Sequence, residues 1–521
     1  MYDILFEGAR IVDGQGGQPY QANVATLGST IALIGREHVR ARTCVDASRM
    51  VLCPGFIDMH AHSELYALRD PSMPMKSAQG ITSDISGNCG IGVYPQAGRR
   101  RLLEPLCNDV LGRCDEWDWD GFDGFIDRLS ACGTGINMGF LQPHSPLRTA
   151  AMGEDSSRAA SLDEIAVMCS LLEQSLEEGC FGLSTGLYYQ PCFNADDREL
   201  EALLRVVARH DGLFCVHMRS EGDGIVEALE EVLSLAMKTS VRLQISHLKI
   251  IGGRNQDKPS SVLDLIHSHH DRGLDVAFDQ YPYDYGSTSL FSLLPPWANA
   301  LSRTELRFAL QLDGERSRMR HDMLNPDGWE SIWSLVGPEN IRILHMDSRS
   351  DLDGTCLADL GPDPLDALFD VLADEGGAAL MCDVTETRST LERIMQDDLM
   401  GFSTDALYSS ASPHPRSHSA AVELIRRYCL DRRLFPLEEC IHRMSRKNAL
   451  RLRLEDRGVI REGAVADLVL MDLDALSGQW HDGCNPGIRM VCVNGAIVHE
   501  NGRCTGLRPG SVLLKNGAKR G

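Results

Sequence analysis

Residues 161–186 read SLDEIAVMCSLLEQSLEEGCFGLSTG, and this stretch decides the fold. Ser161 and Glu164 have capping-box spacing, Ile165, Met168, Leu172 and Leu176 share one helical face, and Gly179 stops the helix. The apolar run GCFGLSTG follows at once and reads as a strand. The same alternation continues in both directions. VLCPGFIDMHAH, GITSDISGN and INMGFLQPH precede it, and GLFCVHMR, VRLQISHLK, LDVAFDQYPY and LMGFSTDA follow. Eight β runs with helical material between most of them predict an α/β fold, a (β/α)8 TIM barrel over residues 55–450. The rhythm breaks at about 287–346, where LPPWANALS and an Arg-rich helix read as a small insertion. Both ends of the chain are β-rich. DILFEGARIVDG, ANVATLGSTIALIG and TCVDASRMVLCPG lie within or end at residues 1–54, and GAVADLVLMD and IRMVCVNGAIVHENG within 451–521. They predict one small β-sandwich built from both termini.

A chain of 521 residues exceeds the size of one core, as a large domain with a smaller one requires. Its 43% apolar and 24% charged residues are ordinary for a globular enzyme. A net charge of −23 argues against nucleic acid as a partner and disfavours anionic membranes. No run approaches a membrane span, and the N-terminus, charged at Asp3, Glu7 and Arg10, lacks the apolar core of a signal peptide. Seventeen cysteines scattered singly do not form a disulfide framework, so a reducing cytoplasm is expected. Most of these thiols, Cys215 and Cys382 among them, read as packing. Nothing in the sequence specifies an oligomeric state.

The polar residues gather at the C-terminal ends of the strands, where a barrel of this kind keeps its chemistry. The first strand ends in His60-Ala61-His62, whose alternate residues point the same way. His217 closes GLFCVHMR, His247 closes VRLQISHLK, and Asp405 follows MGFST. Four histidines and an aspartate in register suit a metal centre better than core packing. The HSHHD run at 267–271 sits in a helical stretch and reads as a solvated face; His144 ends INMGFLQPH without other support. Cys89, in GNCGIG, is open to three readings: buried thiol, nucleophile or metal ligand.

The chain resembles the amidohydrolase superfamily and, within it, the D-aminoacylase (N-acyl-D-amino-acid deacylase) group. The likeness runs over nearly the whole chain. It is carried by PGFIDMHAH, SGNCGIGVYP, FGLSTGLYYQP, HMRSEGD, ISHLK, YPY, LPPWA, Asp405, SPHPR and DRGVIREGAVADLVLMD. Many relatives bridge two metals with a carboxylated lysine on the fourth strand; here that strand ends in Ser184-Thr185. The D-aminoacylases supply a second-strand cysteine instead. The resemblance therefore implies that Cys89, His217 and His247 hold a tightly bound Zn2+. His60, His62 and Asp405 then face a second divalent position that is weakly filled or empty in the family.

By the same likeness Asp405 is the general base, and hydrolysis of an N-acyl-D-amino acid releases a carboxylic acid and a D-amino acid. Lys249 and Tyr281 resemble the family's clamp for the substrate carboxylate, with Tyr283 as the alternative register and Arg219 and Arg416 as further candidates. Lys249, two residues past His247, is expected on the same side of the strand. Ala406 after the base, Val216 before His217, and the SHSAAVELIRRYC stretch depart from the usual pattern, which leaves the acyl group and the amino acid open. Two other readings stand beside this one. The first is a different amidohydrolase reaction, on a cyclic amide such as a hydantoin, a D-peptide or a secondary metabolite. The second is a non-catalytic hydantoinase-like scaffold. A papain-like Cys89 nucleophile would leave the other histidines and Asp405 without a role.

Overall fold

The structure is a computed structural model that describes residues 1–410, 412–476 and 485–515. The helix read from residues 161–186 spans Leu162–Glu177, with both capping-box hydrogen bonds between Ser161 and Glu164 in place. Ile165, Met168, Leu172 and Leu176 are all buried, and Gly179 takes a φ of 110° that favours glycine as the chain turns into the next strand.

That strand is the fourth of eight. They are β1 (Phe56–Asp58), β2 (Ile81–Ser86), β3 (Asn137–Phe140, continued by Gln142–Pro143), β4 (Gly182–Gly186), β5 (Leu213–His217), β6 (Arg242–Ile245), β7 (Val276–Gln280) and β8 (Met400–Phe402). Neighbours pair in parallel from β1 to β8. The ring closes between β8 and β1 through an Ala61–Ala406 bridge and a 2.8 Å hydrogen bond from Asp405 N to His60 O. Nearly every residue of β2 to β5 is buried, as expected for a barrel filled inside and covered by helices outside.

Both chain ends form one nine-stranded sheet, drawn from Tyr2–Pro54 and Leu468–Cys504. Its strands form one continuous hydrogen-bonded network that unites both termini in a single β-rich unit, as the sequence predicts. The long strand Tyr2–Ile11 bends at Gly8 (φ 68°), pairs with Ala41–Asp46 before the bend and with Val51–Pro54 after it, and so joins the two halves. The sheet curls over its own core of Ile4, Phe6, Val24, Leu468 and Met490. Beyond Cys504 the chain leaves this sheet for the barrel, where Leu513 N donates to Met138 O at 2.7 Å. Residues 477–484 and 516–521 of the expected C-terminal unit lie outside the described residues.

The insertion is longer than 287–346. Strands Tyr285–Ser289, Ile341–Met346 and Ala379–Val384 form a separate antiparallel sheet between β7 and β8. They enclose a separate core that includes Leu293, Leu310, Phe369 and Met381. The third strand lies beyond residue 346 because it must return between the other two to complete that core.

Candidate metal centre and active site

Three residues just past the ends of barrel strands lie in the left-handed region: Cys89 (φ 53°), His247 (φ 34°) and Asp405 (φ 49°). For residues with a Cβ this costs on the order of 1–3 kcal/mol and persists only where the surroundings fix it. At Cys89 the surroundings are visible. A Cβ on Gly90 would lie 2.9 Å from Gly186 N, and one on Gly186 would lie 2.3 Å from Cys89 O, so the GNCG and GLSTG backbones pack directly together. Ser184 Oγ accepts from Gly90 N at 3.0 Å and donates to Gly87 O, gripping the loop on both sides of the cysteine. The fourth strand therefore contributes a hydroxyl that holds the second-strand thiol in place.

The side chains meet over the barrel mouth. Cys89 Sγ lies 3.3 Å from His60 Nε2 and 3.4 Å from His247 Nε2, and His217 Nδ1 lies 3.0 Å from His247 Nε2. On the other side Asp405 Oδ1 is 3.5 Å from His60 Nε2 and 3.3 Å from His62 Nε2. All six groups are buried. Donor atoms around a tetrahedral ion with bonds of about 2.1 Å stand roughly 3.4 Å apart. The gaps around Cys89 match that edge, and the set of thiolate, imidazoles and carboxylate suits a divalent metal ion. Burial pushes the Cys89 thiol up, but His60 and His247 pull it well below the ordinary thiol range, toward the ligand form.

Behind the cluster, carboxylates orient the rings. Glu221 Oε1 is 3.1 Å from His247 Nδ1, and Lys249 Nζ sits 2.8 Å from Glu221 Oε2. Burial works against ionising Glu221, yet Lys249 and the two histidines hold its pKa at about 2. Asp279 accepts from His247 N at 3.0 Å and lies 3.5 Å from His60 Nδ1, serving both halves. Arg416 Nη1 lies 2.8 Å from Asp405 Oδ2. Burial alone would raise the Asp405 carboxyl; Arg416 and the imidazoles hold it well below the usual carboxylate range. Against β1 and β2, Lys76 is fully buried between Asp58 (2.5 Å) and Asp84 (2.8 Å). Asp58 Oδ1 also accepts from His60 N at 3.2 Å and Thr404 N at 2.8 Å, stitching the closing seam beside the two metal-facing strand ends.

The candidates from sequence sort clearly. Cys89, His62, His217, His247, Lys249, Tyr281, Arg416 and Asp405 line one pocket, and His60 lies buried against it. Lys249 reaches His247 Nδ1 at 2.9 Å through a turn, since β6 stops at Ile245, and strand alternation is not what brings it there. Arg219 does not join the pocket. β5 ends at His217, the alternation lapses, and Arg219 turns to Glu231 (2.9 Å) and to the carbonyl of Phe193 (2.7 Å). Tyr283 is likewise outside the pocket lining, its hydroxyl 2.9 Å from Ser419 Oγ. The strand-end pattern does not single out Glu221, Asp279 or Ser287, which lie in a loop, within β7 and on the insertion. The only sequence signal for Glu221 is its position four residues after His217.

Barrel, terminal sheet and polar mouth together define a metal-dependent hydrolase of the amidohydrolase kind. The sequence profile of the Amidohydrolase family matches residues 43–326 and 357–499. D-aminoacylase of Alcaligenes xylosoxydans xylosoxydans is 32% identical, over 99% of this chain and 98% of its own length. N-acyl-D-aspartate deacylase of the same organism is also 32% identical, over 99% and 96%. The crystal structure of N-acyl-D-glutamate deacylase from Bordetella bronchiseptica, complexed with zinc and a phosphonate mimic of the tetrahedral intermediate, superposes with a TM-score of 0.81. It is 30% identical and covers 98% of this chain and 99% of that one. The chain belongs to the amidohydrolase family and, within it, to the D-aminoacylase group; it is a hydrolase of amide bonds. Among the described residues, no helix is long and apolar enough to cross a membrane.

Proposed function

We propose that the protein is a zinc-dependent deacylase that cleaves the linear amide of N-acyl-D-amino acids, releasing a carboxylic acid and the D-amino acid. The carrying observation is the meeting of Cys89, four histidines and Asp405 at one pocket. Full-length similarity to proteins named as N-acyl-D-amino-acid deacylases supports the linear amide over a cyclic one. Cys89, His217 and His247 would hold the principal zinc; His60, His62 and Asp405 face a second divalent position. Cys89 Sγ lies close to both His60 and His247 and would supply the thiolate ligand. A bound zinc supplies polarisation of the amide carbonyl and acidification of water.

The remaining work falls to the side chains. Asp405, kept ionised by Arg416, takes the proton of the attacking water and returns it to the leaving amine as the C–N bond breaks. Lys249 and Tyr281 bind the substrate α-carboxylate. Among the described residues the Tyr281 hydroxyl and Ser287 Oγ are buried at the pocket without partners, as donors waiting for a substrate anion would be. Arg416 holds Asp405 through Nη1 and donates from Nη2 to Ser287 O at 2.9 Å.

Asp405→Asn tests the base: fold and zinc content are retained while kcat falls about 100- to 10,000-fold. A fully active variant would assign the proton transfer elsewhere. Turnover of N-acetyl, N-formyl and longer N-acyl derivatives of D-amino acids is expected to exceed that of the L-enantiomers. Equal rates would remove the D-selectivity from the reading.

A further inference from the structure

Four carboxylates line the pocket, and three are already engaged. Glu221 holds Lys249 and His247, and Asp405 holds Arg416 and His62. Glu330 accepts from Ser220 Oγ and from the backbone N–H groups of Glu221 (3.1 Å) and Gly222 (2.7 Å), bracing the loop after β5. Asp383 differs. It is only 4% exposed, yet its Oδ2 has no hydrogen-bond partner among the described residues. Buried polar atoms are nearly always paired, so an open acceptor facing a pocket points to a donor on the ligand.

Asp383 lies on the insertion strand Ala379–Val384, opposite Gly286 in register. A Cβ at Gly286 would meet the Tyr281 hydroxyl at 3.3 Å, Thr385 Cγ2 at 3.3 Å and Asp383 Oδ1 at 3.5 Å. The free carboxylate and the proposed carboxylate-binding hydroxyl thus flank one small gap. The side chain of an amino acid is attached to the carbon that bears its α-carboxylate, so a substrate held at Tyr281 would bring that side chain within reach of Asp383. Of the cations that line the pocket, Lys249 pairs with Glu221 and Arg416 with Asp405, each at 2.8 Å, and among the described residues neither forms an ion pair with Asp383. A substrate side chain ending in a carboxylate would meet the like charge of Asp383, whereas a cation would pair with it. Burial pushes the Asp383 carboxyl up to about 6 against the pull of Lys249 and Arg416, as for an acid short of counter-charge.

We propose that Asp383 selects substrates whose amino-acid side chain ends in an ammonium or guanidinium group, such as N-acyl derivatives of D-lysine, D-ornithine and D-arginine. The proposal rests on the deacylase reading above and names its substrate class. The test compares kcat/KM for N-acetyl-D-lysine, N-acetyl-D-norleucine and N-acetyl-D-glutamate in the wild type and in D383N, an isosteric change, with zinc content and thermal unfolding recorded for both. The wild type is expected to favour the lysine derivative over norleucine by about tenfold or more, because a buried group built to bind a donor discriminates against ligands lacking one. D383N is expected to lower that ratio about tenfold. A wild-type ratio near one, a preference for the glutamate derivative, or an unchanged ratio in folded, metal-loaded D383N would overturn the assignment while leaving the deacylase reading standing. Turnover of none of these or other N-acyl-D-amino acids would remove both.

Discussion

Two buried lysines serve the same barrel in opposite ways. Lys76, against β1 and β2, is enclosed by Asp58 and Asp84 and exposes none of its side chain. Lys249, at the mouth, has the single carboxylate Glu221 and faces the pocket. Both ammonium groups are held above the ordinary lysine range by neighbouring acids that outweigh burial. The difference lies in completeness. Lys76 has its charge fully matched inside the protein, and its acids spend their remaining oxygens on the backbone and hydroxyls of β1, β2 and Thr404. Lys249 is partnered by Glu221 and His247, and the unfilled groups stand beside it on the pocket side: Tyr281, Ser287 and Asp383. The closed cluster shapes the fold and the open one receives a ligand.

The sharpest way to break this comparison is Lys76→Met. Removing one partner from a buried ionic cluster leaves its acids uncompensated, and a loss of about 3–5 kcal/mol in unfolding free energy is expected. Chemical denaturation measures it, and unchanged stability would mean that the Lys76 cluster does not hold the seam. Lys249→Met should act the other way, raising KM about tenfold or more while costing less stability than Lys76→Met. Steady-state kinetics beside the same denaturation experiment separates the two.

The histidines and Asp405 are legible in sequence because strand ends are legible, and a barrel puts strand ends together. Cys89 becomes legible only through the family resemblance, which implies a second-strand cysteine where GLSTG lacks a lysine. That logic does not reach Arg219, which turns to Glu231, Tyr283, which turns to Ser419, or the third strand of the insertion, and these part from expectation. Glu221, Asp279 and Asp383 look like any other acid in the sequence. Their roles depend on which groups surround them after folding, and no spacing encodes that.

Arg416→Gln probes the open cluster through pH. The base must be ionised, and Arg416 helps to hold the Asp405 carboxyl well below its usual range. Without the guanidinium that pKa rises, more of the enzyme is protonated at low pH, and the acid limb of kcat/KM moves to higher pH. The deficit relative to wild type should therefore shrink as pH increases; an unmoved limb would contradict the pairing. The smallest effect is expected for Ser184→Ala, which removes the hydroxyl joining Gly87 and Gly90. Metal affinity, measured by competition with a chelator, should weaken roughly tenfold, the lower end of what supporting partners of metal ligands contribute. No change would mean that the Cys89 loop is held by packing alone.

The role of Cys89 is tested most directly by cobalt substitution. A thiolate bound to Co2+ gives an intense near-ultraviolet charge-transfer band that imidazole and carboxylate ligands do not. The wild-type protein loaded with one Co2+ per chain should show the band, and Cys89→Ser at the same loading should not. A band that survives in Cys89→Ser, or is missing from the wild type, would contradict a metal centre built on this cysteine.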